Sequence, residues 1–324
     1  MDFIDLYCGA GFGARGAVAG GGVARLAVDI WQAATATYQC NFPEAHVITS
    51  SVDDVEPRRF DPALGADLLL TSPECTSHSL ARGNRPADET SLETAISFMP
   101  WVDHFRPRWI VIENVARLRA WDRYASLCDQ VARRGYEVSE CLLNAADFGA
   151  PQARKRLFMI CGRESSPPTV DALYPVHAPR RTARDIVDSD GTWRTTPLYS
   201  KRRAEATVER AERAIAELGR GVPFLIVYYT SDRAGGWQSL DQPLRTITTV
   251  DRFGLVTWDG NEPRLRMLQP PELLRAMGAD RHLLDVGSRR DKVKLCGNGI
   301  CSPVMQRIVE CLRDIDNRVA REAA

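Results

Sequence analysis

Short apolar segments recur along the first half of the chain, and stretches with helical periodicity lie between them. The segments predicted as strands are Phe3–Tyr7, Ala24–Val28, Ala45–Ile48, Asp67–Leu70, Trp109–Ile112, Glu137–Leu142 and Leu157–Cys161. The intervening helices include Trp31–Cys40, Leu92–His104 and Tyr124–Arg134. Strands that alternate with helices indicate a parallel sheet with crossover helices. The expected fold class is therefore α/β, with ligand sites at the carboxyl ends of the strands.

The character of the sequence changes after Gly162. An arginine-rich region runs from Arg180 to Arg220 and contains one strong helical pattern. The elements predicted in this half are the helix Ala204–Leu218, the strands Phe224–Thr230, Arg245–Thr249 and Phe253–Thr257, and a closing helix at Pro303–Val319. The 324 residues suffice for one large α/β domain and a small second lobe.

Cysteine usage and hydropathy restrict the class of protein. None of the nine cysteines forms a C-x-x-C pair, so neither a disulfide framework nor a zinc cluster is predicted, and a reducing cytoplasm is favoured. No apolar run reaches the roughly 20 residues of a membrane span, and the amino terminus has no signal-peptide pattern. We expect a cytoplasmic protein that uses neither membrane nor metal.

Acidic and basic residues balance over the whole chain but not along it. Of 42 acidic and 42 basic residues, positions 1–100 hold 13 acidic and 6 basic ones, and the remainder hold 29 and 36. Such a distribution is compatible with a basic face that contacts phosphates. On charge alone, a solvated arginine-rich surface is the simpler explanation.

The first candidate site is the glycine-rich segment Asp5-Leu-Tyr-Cys-Gly-Ala-Gly-Phe-Gly13, which follows the first strand. Gly11, Gly13 and Gly16 form the pattern G-x-G-x-x-G, and Asp29 ends the next predicted strand. Glycine lets the backbone approach a nucleotide closely, and an acid in that position binds ribose hydroxyls. The pattern indicates a nucleotide cofactor without separating NAD from S-adenosylmethionine. A plain tight turn is the alternative.

Two further candidates follow apolar strands. Cys75 and His78 lie in the loop after Leu70, where a thiol at a strand's carboxyl end is placed as a nucleophile would be. In the segment Ile110-Val-Ile-Glu-Asn-Val115 an apolar strand ends in Glu-Asn, which puts the Glu113 carboxyl group at the same expected sheet edge. The alternative for the Cys75 loop is a surface loop with an incidental thiol. The alternative for Glu113 and the asparagine after it is a pair that caps the following helix.

The last two candidates are the run Gln152-Ala-Arg-Lys-Arg156 and the turn Gly297-Asn-Gly-Ile-Cys-Ser-Pro303. Strand alternation predicts that Arg154 and Arg156 point to the same side. Taken singly, the first is equally consistent with a basic surface run, and the second is uninformative.

Taken in order, these segments resemble the cytosine-C5 DNA methyltransferase family. The matching segments are D-L-Y-C-G-A-G-F-G, S-P-E-C, I-E-N-V, Q-A-R-K-R, G-N-G-I-C-S-P and the run Arg245-Thr-Ile-Thr-Thr-Val-Asp-Arg-Phe253. The resemblance implies a Rossmann-like S-adenosylmethionine-dependent methyltransferase sheet with a small inserted target-recognition lobe. It divides the chain into a catalytic domain (1–163), a recognition region (164–242) and a return segment that completes the catalytic domain (243–324).

The resemblance also implies roles for individual residues. The implied catalytic residues are Cys75, Glu113, Arg154 and Arg156. The implied cofactor-binding residues are Tyr7, Gly9, Ala10, Gly11, Asp29, Ile30, Val52, Pro73, Asn298 and Ile300. In such an enzyme a thiolate adds to C6 of a cytosine flipped out of double-stranded DNA, and C5 is then methylated. We expect S-adenosyl-L-methionine as cofactor, no metal, and a monomer.

The sequence departs from the family pattern in three places. Glu74 stands where the family usually has a second proline, which puts an acid beside the nucleophile. Ser51 stands where an acid usually contacts the adenine amino group, so that contact is in doubt unless Asp53 or Asp54 supplies it. The recognition region is short, which predicts a brief or relaxed target sequence.

Three alternatives remain open at this point. An NAD-dependent dehydrogenase explains the glycine loop and Asp29 but gives no role to Cys75 or Glu113. A tRNA cytosine-C5 methyltransferase shares the chemistry, and the arginine-rich insert favours duplex DNA only modestly. A non-catalytic DNA-binding relative is opposed by the presence of Cys75, Glu113 and both arginines.

Overall fold

The computed structural model describes residues 1–64, 67–73, 96–229 and 235–323. A seven-stranded sheet forms its centre, and the strand order across it is β3-β2-β1-β4-β5-β8-β6. The strands are β1 (Asp2–Leu6), β2 (Val23–Asp29), β3 (His46–Thr49), β4 (Leu68–Thr71), β5 (Trp109–Asn114), β6 (Glu137–Asn144) and β8 (Lys155–Gly162), with the short β7 (Gln152–Ala153) before β8. The predicted Rossmann-like α/β class is confirmed.

Helices cover both faces of this sheet. They are α1 (Phe12–Ala19), α2 (Gln32–Asn41), α3 (Met99–Phe105) and α4 (Tyr124–Arg133), followed by the long closing helix at Ser302–Glu322. Trp109 and Val111 belong to one buried layer, while Ile110 and Ile112 belong to the other. Because successive side chains of a strand point to opposite faces, a strand buried on both sides must be apolar throughout. This requirement explains the continuous apolar runs in the sequence.

One strand departs from the parallel arrangement of the sheet. The alternating pattern indicates a parallel sheet with crossover helices, but β8 runs antiparallel to both β5 and β6. Residues 145–154, which contain a short 3-10 helix and β7, join β6 to β8 without an α-helical crossover, so β8 returns between β5 and β6 in the opposite direction. Short connections of this kind join antiparallel strands, whereas parallel neighbours need a longer crossover. The ends of β5 and the start of β8 therefore meet at one edge of the sheet.

A second sheet has five strands: β9 (Thr196–Pro197), β10 (Phe224–Val227), β11 (Trp237–Ser239), β13 (Phe253–Asp259) and β14 (Glu262–Met267). Their order across the sheet is β11-β10-β13-β14-β9. The short α5 (Val170–Leu173) precedes these strands, and α6 (Glu205–Leu218) packs against them. Ala211, Ala214, Phe224 and Ile226 contribute to its own apolar core.

The division of the chain into three stretches stays a proposal, with one amendment. β13 and β14 lie beyond residue 242, in the stretch assigned to the catalytic domain, yet they pair with strands of the second sheet. The predicted strand Arg245–Thr249 is also shorter than expected, because β12 comprises only Leu244–Arg245. The remaining helices are α7 (Pro270–Ala276), α8 (Arg289–Asn298) and the closing helix, α9 (Ser302–Glu322). Within the described ranges, no helix has the length and apolar composition that crossing a bilayer requires.

Candidate active site

The loop between β1 and α1 has an unusual backbone. Gly9 and Gly11 have φ angles of +53° and +81°, and Tyr7 has a φ of +57° although it is not glycine. The Gly9 amide donates to Asp29 Oδ2 at 2.8 Å, and the Trp31 amide donates to Oδ1 at 2.8 Å. The Asp29 carboxylate thereby joins the end of β2 to the loop. Left-handed backbone at a non-glycine residue is costly and often marks a functional site.

Open space adjoins this loop. A β-carbon added to Gly9 would meet no atom within 4 Å, whereas one added to Gly11 would collide with the rings of Tyr38 and Phe42. Ile30 follows β2 with 73% of its surface exposed. An open glycine, a carboxylate at the end of β2 and an exposed apolar side chain together fit the adenosine part of a nucleotide-like cofactor.

The acidic contact that Ser51 leaves in doubt has a candidate nearby. Asp53 interacts electrostatically with Tyr7, whose hydroxyl is hydrogen bonded to Ser97. Val52 is buried and lines a cavity of about 570 Å³ together with Asp53 and Ser97. The cavity therefore adjoins the glycine loop on the side of β3.

The turn after α8 lies at the opposite side of the loop. A β-carbon added to Gly13 would lie 3.2 Å from Ile300, and one added to Gly299 would lie 2.4 Å from the Phe12 ring. Ile300 is half-buried, and Asn298 is exposed at the end of α8. The structure thus brings both residues to the start of α1, beside the glycine loop.

His282 belongs to this site but escaped the sequence patterns. Its Nε2 lies 2.7 Å from the carbonyl oxygen of Ala10, and its ring centroid lies 4.7 Å from that of Phe12. Burial lowers the pKa of His282 to about 4, so the ring is neutral near pH 7 and donates to Ala10 from Nε2. A single histidine far along the chain carries no local signal of this contact.

The second half of the site is formed by Glu113 and Arg156. Arg156 Nε lies 3.2 Å from Glu113 Oε1, and the Glu113 side chain is buried. Burial raises the pKa of Glu113, while the charges of Arg156 and Arg154 oppose part of that rise. A buried carboxyl with a raised pKa is suited to hold and deliver a proton.

Arg154 has a different environment from the one expected. It is buried, and its Nη1 and Nη2 donate to the carbonyl oxygens of Ile247 (3.0 Å) and Gly297 (2.9 Å). These bonds hold the segment before β13 and the end of α8 against the sheet. Arg154 directly precedes β8, which begins at Lys155, and its charge, like that of Arg156, acts on Glu113. The contacts of Arg154 are those of a positioning residue.

Two polar residues that the sequence reasoning did not single out connect the parts of the site. Gln152 is fully buried, donates to the Ala276 carbonyl (3.2 Å) and accepts from the Ile247 amide (2.9 Å). Asn114 Nδ2 donates to the Pro73 carbonyl at 3.2 Å. The motifs that contain these residues were visible in the sequence, but their partners are remote.

The beginning of the Cys75 loop is fixed on both sides. Ser72 Oγ donates to the Tyr7 carbonyl at 3.0 Å, and the Pro73 carbonyl accepts from Asn114. These contacts bring the start of the loop between the glycine turn and the end of β5. Cys75, Glu74 and His78 themselves lie outside the described residues, so their predicted placement stays a prediction.

The described cysteines offer little competition as nucleophiles. Six of the eight are buried. Burial raises the pKa of Cys8 well above its usual value, that of Cys296 to about 12 and that of Cys301 to about 11. Such thiols stay protonated near pH 7, and a protonated thiol is a poor nucleophile.

The arginine-rich region is partly structural. Arg203 Nη2 donates to Thr196 Oγ1 at 2.8 Å and to the Pro197 carbonyl at 3.1 Å, whereas the side chain of Arg202 is exposed. Arg213 Nε donates to the Gly235 carbonyl at 3.3 Å and so ties α6 to the loop before β11. Residues 231–234 of the predicted specificity loop lie outside the described part of the chain.

Comparison with known proteins identifies one family. Residues 1–313 match the family model described as C-5 cytosine-specific DNA methylase. The chain is 34% identical over 185 residues to the Type II methyltransferase M.AgeI of Thalassovita gelatinovora, covering 55% of this chain but only 42% of that relative. It is 28% identical over 258 residues to the Type II methyltransferase M.HgiDI of Herpetosiphon aurantiacus, covering 76% of this chain and 80% of the relative.

Two further likenesses bear on substrate and fold. A tRNA (cytosine(38)-C(5))-methyltransferase of Mus musculus is 26% identical over 156 residues, covering 47% of this chain and 36% of that protein. A solved putative DNA modification methyltransferase, encoded within an Escherichia coli prophage, superposes with a TM-score of 0.72 at 18% identity. That superposition covers 98% of this chain and 99% of the solved one, and it shows a shared fold.

Proposed function

This chain belongs to the C-5 cytosine-specific DNA methylase family, and on that premise we propose that it methylates C5 of cytosine in double-stranded DNA with S-adenosylmethionine as donor. The observation that carries the proposal is the buried Glu113–Arg156 pair at the end of β5, next to the tethered start of the Cys75 loop. The cofactor half of the site lies at the same edge of the sheet, so donor and base would meet there.

The cofactor would be held by the glycine loop. Gly9 leaves room for it, Asp29 would accept from the ribose hydroxyls, and the exposed Ile30 would cover the adenine. Asn298 and Ile300, at the start of α1, would contact the methionine part. When bound, S-adenosylmethionine supplies a methyl group activated by its sulfonium charge.

The base would be activated by Cys75 and Glu113. C5 of cytosine is a weak nucleophile, and addition of the Cys75 thiolate to C6 turns the ring into an enamine. Glu113 in its neutral form donates a proton to N3 and so removes the charge that addition places on the ring. After C5 is methylated, loss of the C5 proton expels Cys75 and restores the aromatic ring.

Arg156 would contact the base, and Arg154 would support it. Arg156 has its Nε beside Glu113, its Nη1 donates to the Lys155 carbonyl, and it is less buried than Arg154. Its Nη2 would therefore be the donor available to the O2 side of the cytosine. Its charge also favours the thiolate form of Cys75. Arg154 acts indirectly, through the two carbonyls that it binds.

A mechanism-based trap tests this proposal. Bisulfite sequencing of DNA from a host that expresses the protein first locates the methylated positions. Oligonucleotide duplexes that carry 5-fluorocytosine at these positions are then incubated with enzyme and S-adenosylmethionine. Fluorine at C5 prevents the proton loss that releases the enzyme, so a complex that survives denaturation is expected. Mass spectrometry should find the nucleotide on the peptide that contains Cys75. An adduct on another cysteine would overturn the mechanism.

Transfer RNA is the second candidate substrate, favoured by the likeness to the murine tRNA enzyme. The Type II relatives and the arginine-rich second lobe support duplex DNA. Parallel assays on duplex DNA and on tRNA transcripts decide between them, because methyl incorporation into RNA alone would refute the DNA assignment. A catalytically weakened DNA-binding relative would methylate neither.

The expected setting follows from the same argument. One chain supplies both halves of the site, which supports a monomer as the functional unit. We place the enzyme in the cytoplasm, on nucleoid DNA, and in a restriction-modification context like that of its Type II relatives. Size-exclusion chromatography with light scattering measures the oligomeric state directly.

A further inference from the structure

Arg245 lies where the two sheets of the molecule meet. β12, which contains Arg245, pairs in parallel with β7, so that Arg245 stands opposite Ala153. Thr246 Oγ1 donates to the Ala153 carbonyl at 3.0 Å, and the Ile247 amide donates to Gln152 Oε1 at 2.9 Å. Arg245 is thus fixed beside the run that ends at Arg156.

The recognition lobe borders Arg245 on its other side. The Arg245 amide donates to Gln238 Oε1 in β11 at 3.2 Å. The positive charge of Arg245 acts on Tyr229, which follows β10 and whose ring packs edge-on against Phe253 at 5.8 Å. The backbone of Arg245 therefore lies beside the run that ends at Arg156, and its guanidinium lies near the aromatic end of the second sheet.

The charge of Arg245 has no counter-ion in the described part of the chain. Its Nη1 is enclosed and makes no hydrogen bond there, whereas the carbonyls of Ile247 and Gly297 satisfy Arg154, and Glu113 pairs with Arg156. Burial raises the pKa of Tyr229 to about 12, so its hydroxyl is neutral near pH 7. Arg245 as a whole is half-buried, and a cationic side chain with an unpaired nitrogen favours an anion as its partner.

We propose that Arg245 binds a backbone phosphate of the target DNA strand next to the flipped cytosine. The inference rests on the proposed function, because it assumes a nucleic-acid substrate. Arginine presents planar donors that match phosphate oxygens. A phosphate contact fixes the position of the strand without reading its sequence. Arg245 would thereby hold the strand at the junction through which the base leaves the duplex.

The test compares Arg245→Gln, Arg245→Lys and the control Arg133→Gln with wild type. Arg133 is exposed at the end of α4, before β6 and so at the opposite edge of the sheet. The affinity for a duplex that carries the target sequence of the enzyme is measured by fluorescence anisotropy between about 50 and 200 mM salt. For Arg245→Gln we expect roughly tenfold weaker binding and a salt slope reduced by about 0.9. The lysine variant and the Arg133 control should keep the wild-type slope.

A charge-neutral methylphosphonate at the phosphates flanking the target cytosine probes the same contact from the DNA side. It should weaken binding by wild type and add nothing to the loss in Arg245→Gln. The inference would be overturned if the methylphosphonate weakened binding by Arg245→Gln as much as it weakens binding by wild type. An unchanged salt slope in Arg245→Gln would also overturn it. If Arg245→Gln does not fold, the binding of wild type to the methylphosphonate duplex still tests the phosphate contact.

Further readouts separate this inference from the proposed function. The methylated sequence should be the same for Arg245→Gln and wild type, since a phosphate contact does not read bases. A salt-slope loss seen with a tRNA transcript and not with duplex DNA would overturn DNA as the source of the phosphate. If wild type forms no 5-fluorocytosine adduct, the proposed function fails; if it forms one and Arg245→Gln binds like wild type, only the inference fails.

Discussion

The two halves of the proposed site are built by different means. The cofactor half is made of backbone: Gly9 and Gly11 in left-handed conformation, an amide bound to Asp29, and a carbonyl bound to His282. The base half is made of side-chain charge, with the buried Glu113 beside Arg156. Changes in the first half should therefore act on ligand affinity, and changes in the second half on the rate of the chemical step.

Cys75→Ser is the strongest test of this contrast. A serine hydroxyl is far less ionised than a thiol near neutral pH, so methyl transfer should fall by roughly 10³-fold or more. Cofactor binding, measured by calorimetry, should stay close to wild type because the glycine loop is untouched. Cys8→Ser is the control, since Cys8 is buried with a raised pKa. Substantial turnover by the Cys75 variant would contradict the assignment.

Glu113→Gln should have the next largest effect. The amide cannot transfer a proton to N3, so the rate of methyl transfer should fall roughly 100-fold while cofactor affinity stays unchanged. Burial raises the pKa of Glu113, and in the proposed mechanism the neutral form is the active one. Wild-type kcat should therefore decline as pH rises through that pKa, and the glutamine variant should lose this dependence. A pH-rate profile of the variant that matches wild type in shape would remove Glu113 from the mechanism.

Gly9→Ala should act on the cofactor alone. The φ of Gly9 is +53°, and an added methyl group would enter the open space expected to hold the cofactor. We expect roughly tenfold weaker cofactor binding, about 1.4 kcal/mol, with little change in kcat at saturation. Gly135→Ala is a matched control, because Gly135 has a φ of +86° and equally open surroundings at the far edge of the sheet. If both variants bind cofactor equally well, the pocket is misassigned.

Asp5→Asn should affect stability most and chemistry least. Burial raises the pKa of Asp5 to about 8, so between about pH 4 and 8 the folded state holds a proton that the unfolded state has lost. Wild-type stability should therefore decline as pH rises across that window, by at most ~1.4 kcal/mol per pH unit. The asparagine variant should show a shallower decline, measured as the melting temperature from pH 6 to 8.5. Asp129→Asn, at an exposed position of α4, should keep the wild-type slope.

Local patterns predicted much of the fold. The predicted strand Trp109–Ile112 lies inside β5, and the predicted helix Ala204–Leu218 differs from α6 by one residue. These elements follow from apolar periodicity, which a short window of sequence contains. The motif order also predicted the family, which the comparison confirms.

The patterns failed where pairing joins distant segments. The direction of β8 and the entry of β13 and β14 into the second sheet depend on which strands meet, and no local window carries that information. His282 had no signal at all, because its partner Ala10 is 272 positions away.

The sequence by itself determined the kind of chemistry, and the tertiary structure decided how the residues share it. A glycine turn after an apolar strand, the loop with the proposed thiol nucleophile and a Glu-Asn strand end are each local features, so they are visible in the chain. Whether an arginine meets a carboxylate, a carbonyl or no partner depends on the packing around it. That packing pairs Arg156 with Glu113, occupies Arg154 with two carbonyls, and leaves Arg245 beside the catalytic run without a counter-ion among the described residues.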